Sequence, residues 1–216
     1  VLDHSEPVDP LGCVSVRLTG ISRVVKGLFD QNVGQGNAGF LLKMNGVIDG
    51  IIEDCFDHAE DLLEEWMVSR LIVSYFDRFS GVFVGNSLPI RYMEMVAKPV
   101  SEGLSCLVCT NRGVSGIDGN IATGLGWTYG IKGRSLLFLG DMTFLHDLNS
   151  LLLLKQVSWP VVIVVVNNGG GQIFNQLAVS AYPEIMDRFF LMDQGVSFEK
   201  VAQWIGISYR CCDRLK

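Results

Sequence analysis

Ser135-Leu-Leu-Phe-Leu-Gly140-Asp141 and Val161-Val-Ile-Val-Val-Val166-Asn167-Asn168-Gly169-Gly170-Gly171 are the two stretches that decide the fold. Neither apolar run alternates with polar residues, so each predicts a strand buried on both faces, as in a parallel sheet covered by helices. Each run stops at Gly, Asp or Asn. Working outward, residues 82–85 end the same way in Asn86-Ser87, and residues 104–109 in Thr110-Asn111-Arg112. Helical patterns follow, one of them over 143–157 between the two long strands. Strands alternating with helices predict an α/β fold, a doubly wound, mainly parallel sheet flanked by helices. In such sheets ligands bind outside the carboxyl ends of the strands, so all four polar termini gather at one edge.

Upstream, apolar residues in 51–79 (Ile52, Phe56, Ala59, Leu63, Trp66, Met67) recur at three- and four-residue steps with acids between them. One long amphipathic helix or two shorter ones fit, with the acids as the solvated face and His58 as a surface residue. Residues 1–50 carry mixed signals: a helical pattern over 16–29, then a Gly, Asn and Gln loop over 31–39, which together read as a linker or domain edge. Within that loop Gly34-Gln-Gly36-Asn-Ala-Gly39 is formally a dinucleotide fingerprint. It lacks the preceding β-branched run and the acidic residue about 20 positions on, which makes a nicotinamide site the weakest reading. The chain starts Val-Leu-Asp-His without a signal or transit pattern, and reads as an internal piece of a longer polypeptide.

With 216 residues, 49% apolar and 19% charged, the composition is that of a globular protein rather than a disordered one. The net charge of -6, with acids crowded between Asp49 and Glu65, excludes nucleic-acid binding by general charge attraction. Lys155, Gln156 and Pro160 interrupt the longest apolar stretch, so no membrane span is expected. Six cysteines at irregular spacing do not make a disulfide scaffold. Cys106 and Cys109 form a C-x-x-C without a second ligand pair, inside a strand-like run, and read as buried thiols.

The chemistry concentrates at the first two stretches. If the strands are neighbours, the Asp141 carboxylate, the Asn168 amide oxygen and glycine carbonyls converge as hard oxygen donors of the kind that suit Mg²⁺. A magnesium site with so few protein ligands completes its shell with phosphate oxygens and water. The helix after Asp141 aims free N–H groups at the same anion. A metal-bridged diphosphate is the expectation, although Gly-Asp or Asn-Gly-Gly alone would be ordinary turn chemistry.

Four segments in order carry a resemblance: Val84-Gly-Asn-Ser-Leu-Pro-Ile-Arg91, Asn111-Arg-Gly-Val-Ser-Gly-Ile-Asp-Gly119, Gly140-Asp-Met-Thr-Phe-Leu-His-Asp-Leu-Asn149 and Val166-Asn-Asn-Gly-Gly-Gly-Gln-Ile-Phe174. The chain resembles the thiamine diphosphate enzymes. Within them it is most similar to the MenD-type 2-succinyl-5-enolpyruvyl-6-hydroxy-3-cyclohexene-1-carboxylate synthases of menaquinone and phylloquinone biosynthesis, including the PHYLLO-type plant module. The likeness covers about 82–216. It implies that 1–50 is the end of a middle domain and a linker, and that 51–216 is the thiamine diphosphate (diphosphate-binding) domain.

The resemblance also implies roles. Asp141 and Asn168 match the ligands of Mg²⁺ (or Mn²⁺), with the Gly170 carbonyl as a third. Asn86, Gly140, Met142 and Thr143 match cofactor-binding positions, the backbone at 142 and 143 cradling the diphosphate. Ile117 is similar to the bulky residue that props thiamine diphosphate in its bent form. Ile173, Phe174 and Leu177 match the apolar wall beside the pyrimidine and substrate. Ser87, Arg91 and Arg112 match positions that bind substrate carboxylates, a task an Arg performs with two parallel bonds. By pattern alone Arg91 would be a surface residue on a helix, and Ile117, Ile173 and Phe174 would be core. His146 stands where bacterial members carry Tyr, and Gly169 replaces an Asn; neither change removes a metal ligand.

The activity implied is decarboxylation of 2-oxoglutarate and addition of the succinyl-semialdehyde unit to isochorismate. The activating glutamate of this family comes from a separate pyrimidine-binding domain of the same or a partner subunit. The chain alone is therefore expected to be inactive, and the whole protein a homo-oligomer, plastidial if the parent is the plant-type fusion and cytoplasmic otherwise. Two alternatives stay open. Another thiamine diphosphate-dependent 2-oxo acid decarboxylase or synthase would keep Asp141 and Asn168 but gives no reason for Ser87, Arg91 and Arg112. A non-catalytic remnant would serve as an assembly module.

Overall fold

The computed structural model describes residues 38–58, 63–97 and 106–213, in a chain that divides into two compact units, Val1–Asp54 and Cys55–Lys216. Helix α1 (Ala38–Asp57) supplies the described part of the first unit and continues past its end. It starts earlier than the apolar period beginning at residue 51 suggests. Gly46 and Gly50 precede that period, yet a helical glycine costs only about 1 kcal/mol, and Asn45 Nδ2 donates to Asp49 Oδ2 one turn on (3.0 Å). Ala38 and Gly39, expected in a loop, are helical. The helical pattern over 16–29, loop residues 31–37, Cys13 and His4 lie outside the described residues.

In the second unit, α2 (Glu65–Ser74) and a 3-10 turn (Phe76–Arg78) precede the sheet, so the reading of two helices is the one that holds. Strands β1 (Gly81–Val84), β2 (Leu107–Cys109), β3 (Ser135–Gly140) and β4 (Val161–Val166) are all parallel, in the order β2-β1-β3-β4. Helix α3 (Leu88–Val96) joins β1 to β2, and α4 (Asn120–Ile131) lies between β2 and β3.

Because side chains alternate across a strand, β1 and β3 feed two cores. Val82, Val84, Leu136 and Phe138 pack with Ile72 of α2 and Ile90 and Met93 of α3. Phe83, Leu137 and Leu139 pack with Ile121 and Leu125 of α4 and with Phe144 and Leu151. Leu137 is wholly buried, and truncating such a residue to Ala costs about 2–5 kcal/mol. Helix α4 approaches closely because position 124 is glycine: a Cβ there would lie 2.9 Å from the Leu137 side chain. The sheet is therefore doubly wound, with helices on both faces.

Two strand expectations need correction. β3 is buried along its length, but β4 is only half-buried, with Val162 44% exposed, because it lies at one end of the strand order. An apolar run does not reveal whether a strand is central. β2 lies at the other end, and Leu107 and Val108 are exposed beside half-buried Cys106 and Cys109. Burial pushes the Cys106 thiol above its ordinary pKa, which disfavours a reactive thiolate there. Among the described residues no three His, Cys, Asp or Glu side chains gather to hold a metal.

The helix expected over 143–157 is broken. Helix α5 (Asp141–His146) ends at Asp147, and a 3-10 segment (Leu148–Gln156) follows. The Asp147 carboxylate accepts from the Ala122 N–H (2.8 Å) and the Ser150 hydroxyl (2.5 Å), tying the chain to α4 in place of a further α-turn. Helices α6 (Pro183–Phe189) and α7 (Phe198–Ile205) complete the described unit. No described helix is long and apolar enough to cross a membrane.

Candidate functional site

From β1 the strand order runs to β2 on one side and to β3 and β4 on the other. The reversal falls between β1 and β3, the place where open α/β sheets bind ligands. Asn86 follows β1 there and Asp141 follows β3.

The β3–β4 register pairs Gly140 with Val166, so the residues that leave the two strands next are brought side by side. Asp141 is buried, only 6% exposed. Its Oδ1 accepts from the Met142 N–H (2.7 Å) and its Oδ2 from the Gly170 N–H (2.8 Å). Asn168 Oδ1 accepts from the same Gly170 N–H at 3.1 Å. A carboxylate oxygen and an amide oxygen thus converge on one positive hydrogen. Gly170 has φ +76, and a Cβ on it would meet the Met192 carbonyl oxygen at 2.6 Å, so this turn accepts only glycine without strain. The contact Gly170 makes with the pair is through its N–H, while its carbonyl accepts from Met192 N at 3.4 Å.

Sequence reasoning missed a third member. Glu65, at the start of α2, is half-buried, and its Oε1 accepts from Asn168 Nδ2 at 2.7 Å. Burial pushes its carboxyl above the ordinary pKa; the Asn168 hydrogen bond pulls it back in part, and the Asp141 charge adds a further push. The acidic run is a solvated face at Asp54, Asp57 and Glu64, but not at Glu65. The signal was present: Glu65 shares a helical stripe with Ser69 and Ile72, at steps of four and three, and both of those are buried.

At the other end of the edge, Asn86 is buried and donates to the Gly116 carbonyl (2.6 Å), which also takes Asn120 Nδ2 (3.2 Å). The Oδ1 atoms of Asn86 and Asn120 are buried without a partner among the described residues. Ser87 holds φ 77 and ψ -135 without being glycine, a strained conformation of the kind that gathers at functional sites. Arg91, one turn into α3, is exposed and donates to the Ser87 carbonyl (2.7 Å). Arg112 is exposed in the loop after β2, and Ile117 is half-buried. The parallel β1–β2 pairing of Phe83 with Cys109 puts both loops at one end of the sheet.

A cavity of about 120 Å³ opens beside Asp141 and Met142, closed by Asn167, Gly169, Gln194 and Gly195. Thr143, wholly inside, backs this end of α5. Ile173 and Phe174 are half-buried in a 3-10 turn (Gln172–Gln176), where Phe174 packs on Phe190 with ring centroids 4.8 Å apart; Leu177 is 54% exposed. The structure thus brings Asp141, Asn168 and Gly170 into direct contact, and sets Ser87 and Arg91 together one strand away. It shows no hydrogen bond joining Arg112, Ile117 or Leu177 to either group.

These residues fit a cation and a diphosphate. The donor set is hard oxygen, the two acceptors already face one positive hydrogen, and a small polar cavity adjoins them.

Comparison with known proteins points the same way. The family model of the thiamine pyrophosphate enzyme C-terminal TPP binding domain matches residues 98–216. The 2-succinyl-5-enolpyruvyl-6-hydroxy-3-cyclohexene-1-carboxylate synthase of Chlorobium phaeobacteroides is 43% identical over 147 residues, 68% of this chain and 25% of that protein. The synthase of the same name from Chlorobaculum tepidum is 38% identical over 162 residues, 75% of this chain and 28% of that protein. That from Shewanella frigidimarina is 36% identical over 176 residues, 82% and 30% respectively. The chain thus matches less than a third of the length of these relatives.

Proposed function

The chain belongs to the thiamine pyrophosphate enzymes through their C-terminal cofactor-binding domain, and from that premise we propose that it is the diphosphate- and metal-binding part of a 2-succinyl-5-enolpyruvyl-6-hydroxy-3-cyclohexene-1-carboxylate synthase. The whole protein decarboxylates 2-oxoglutarate and joins the remaining four-carbon unit to isochorismate, on the way to menaquinone or phylloquinone. The observation that carries this reading is the convergence of buried Asp141 and half-buried Asn168 on one point where β3 and β4 end.

Asp141 and Asn168 would hold Mg²⁺ or Mn²⁺, and the carbonyl of Gly170 would have to leave its contact with Met192 N to join them. Asp141 opposes the cation's charge from a buried position, where the attraction is stronger than in water. The backbone at Gly140, Met142 and Thr143 faces the diphosphate; for Met142 to donate to it, its N–H must leave Asp141 Oδ1. When bound, thiamine diphosphate supplies a carbon nucleophile and an electron sink for breaking the bond to a 2-oxo acid's carboxylate. Asn86 presents its unpartnered oxygen to the cofactor from the end of β1. Ile117 would prop the bound cofactor, and Ile173, Phe174 and Leu177 would form the apolar wall beside it.

Ser87, Arg91 and Arg112 orient the substrates' carboxylates from the β1 and β2 ends. Two cations suit two acidic substrates, and each guanidinium can grip a carboxylate through paired N–H groups. The glutamate that activates the cofactor would come from a pyrimidine-binding domain outside this chain, in the same or a partner subunit of a homo-oligomer. Turnover of 2-oxoglutarate with isochorismate by the full polypeptide, with and without thiamine diphosphate, tests the reading. Turnover is expected only with the cofactor; activity that survives its removal overturns it.

A further inference from the structure

We propose that Glu65 is a positioning residue for the cation site, acting through Asn168. The inference rests on the reading of Asp141 and Asn168 as cation ligands. The two ends of an Asn side chain are nearly identical in shape, so packing cannot decide which of them meets the cation. Hydrogen bonds decide it. An ionised Glu only accepts, and Glu65 Oε1 takes Asn168 Nδ2 at 2.7 Å across 103 residues of sequence. That leaves Oδ1 on the side of Asp141, where it shares the Gly170 N–H. Turned over, the amide would set its oxygen against the Glu65 carboxylate and its NH₂ toward the cation, losing both interactions.

The location of Glu65 supports the role. It occupies the first turn of α2, where the free N–H groups favour a carboxylate. Its neighbour Glu64 is exposed and accepts from Trp66 Nε1 (2.7 Å), so the two adjacent acids divide between surface and site. Like the partners that orient metal-bound histidines, Glu65 touches neither substrate nor metal, and partners of this kind are worth about 10–100-fold in metal affinity.

The test is Mn²⁺ affinity of the full polypeptide with thiamine diphosphate present, read from the EPR signal of free Mn²⁺, alongside the cofactor-free melting midpoint. Glu65→Met keeps the bulk without an acceptor and should weaken Mn²⁺ by about 10–100-fold. Glu65→Gln keeps an acceptor oxygen and should stay within about threefold of the parent. Both should melt near the parent's midpoint without cofactor. Unchanged affinity in Glu65→Met, an equal loss in Glu65→Gln, or early melting of Glu65→Met overturns the inference. Asp141→Ala serves as the reference: if it also leaves Mn²⁺ binding intact, the site reading itself fails. If it removes binding while Glu65→Met does not, only the positioning role falls.

Discussion

The two ends of the sheet's carboxyl edge are built differently. At β3 and β4, Asp141, Asn168, Gly170 and Glu65 hold one another through hydrogen bonds, around a carboxylate almost wholly removed from solvent. At β1 and β2, Arg91 and Arg112 are exposed, and among the described residues the former is held only by the carbonyl of Ser87 in its own chain turn. The difference teaches where preorganisation resides. The end proposed to hold the cation is assembled within this chain, whereas the end proposed to hold substrate offers charges that a ligand or another part of the protein must order.

The sharpest way to break that contrast is Asp141→Ala. It removes the oxygen pair on which the buried end is centred, and binding of thiamine diphosphate with Mg²⁺ should fall by on the order of 100-fold or more, the scale of losing several charge-assisted contacts. Isothermal titration calorimetry on the full polypeptide measures it, and a loss below about tenfold would mean that the buried end is not where the diphosphate is held. The exposed end should respond otherwise. Arg112→Ala is expected to raise the KM for one carboxylate substrate about 10–100-fold, the worth of a charged hydrogen-bonded pair. Cofactor affinity should change by less than about twofold. Equal effects on cofactor and substrate would erase the distinction between the ends.

Much of the better-built end was legible in sequence, and the reasons are physical. Leu136 to Leu139 without a polar break required a strand buried on both faces, and Asp141 and Asn168 followed from strand ends that a parallel sheet must align. What escaped depends on long-range arrangement. β4 reads like β3, and only the strand order shows that one is central and the other terminal. Helix α5 stops at Asp147 because of a hydrogen bond to Ala122, 25 residues back, which no local pattern signals. Glu65 reads with the solvated acids because the apolar period runs through Trp66 and Met67, whereas its own stripe holds Ser69 and Ile72. At the exposed end the roles of Ser87, Arg91 and Arg112 rested on family likeness, since no spacing distinguishes a substrate-binding arginine from a surface one.

Gly170→Ala probes the same contrast through the backbone. A methyl group there must take φ +76 and push against the Met192 carbonyl. Strain of this kind costs about 1–3 kcal/mol. A lower melting midpoint and weaker Mn²⁺ binding should appear together, because the Gly170 N–H is the atom on which Asp141 and Asn168 converge. If stability falls with Mn²⁺ affinity intact, the turn supports the fold but does not set the ligands.

The smallest effect is expected at Ser87, and it is the one that can favour the variant. The residue holds φ 77 and ψ -135, a region that glycine enters freely and other residues enter at a cost. Its side chain makes no capping hydrogen bond to α3, and the bond its carbonyl accepts from Arg91 would survive in glycine. Ser87→Gly should therefore raise the melting midpoint, by the equivalent of about 1 kcal/mol less whatever the more flexible unfolded chain regains. If the strain is kept because the Ser87 hydroxyl meets substrate, KM should rise while stability improves. The opposition of the two readouts is the point of the test, since a residue kept only for the fold would not gain stability when removed. A Ser87→Gly protein that is less stable, or more stable with unaltered KM, would mean that the strained turn does not serve the substrate end.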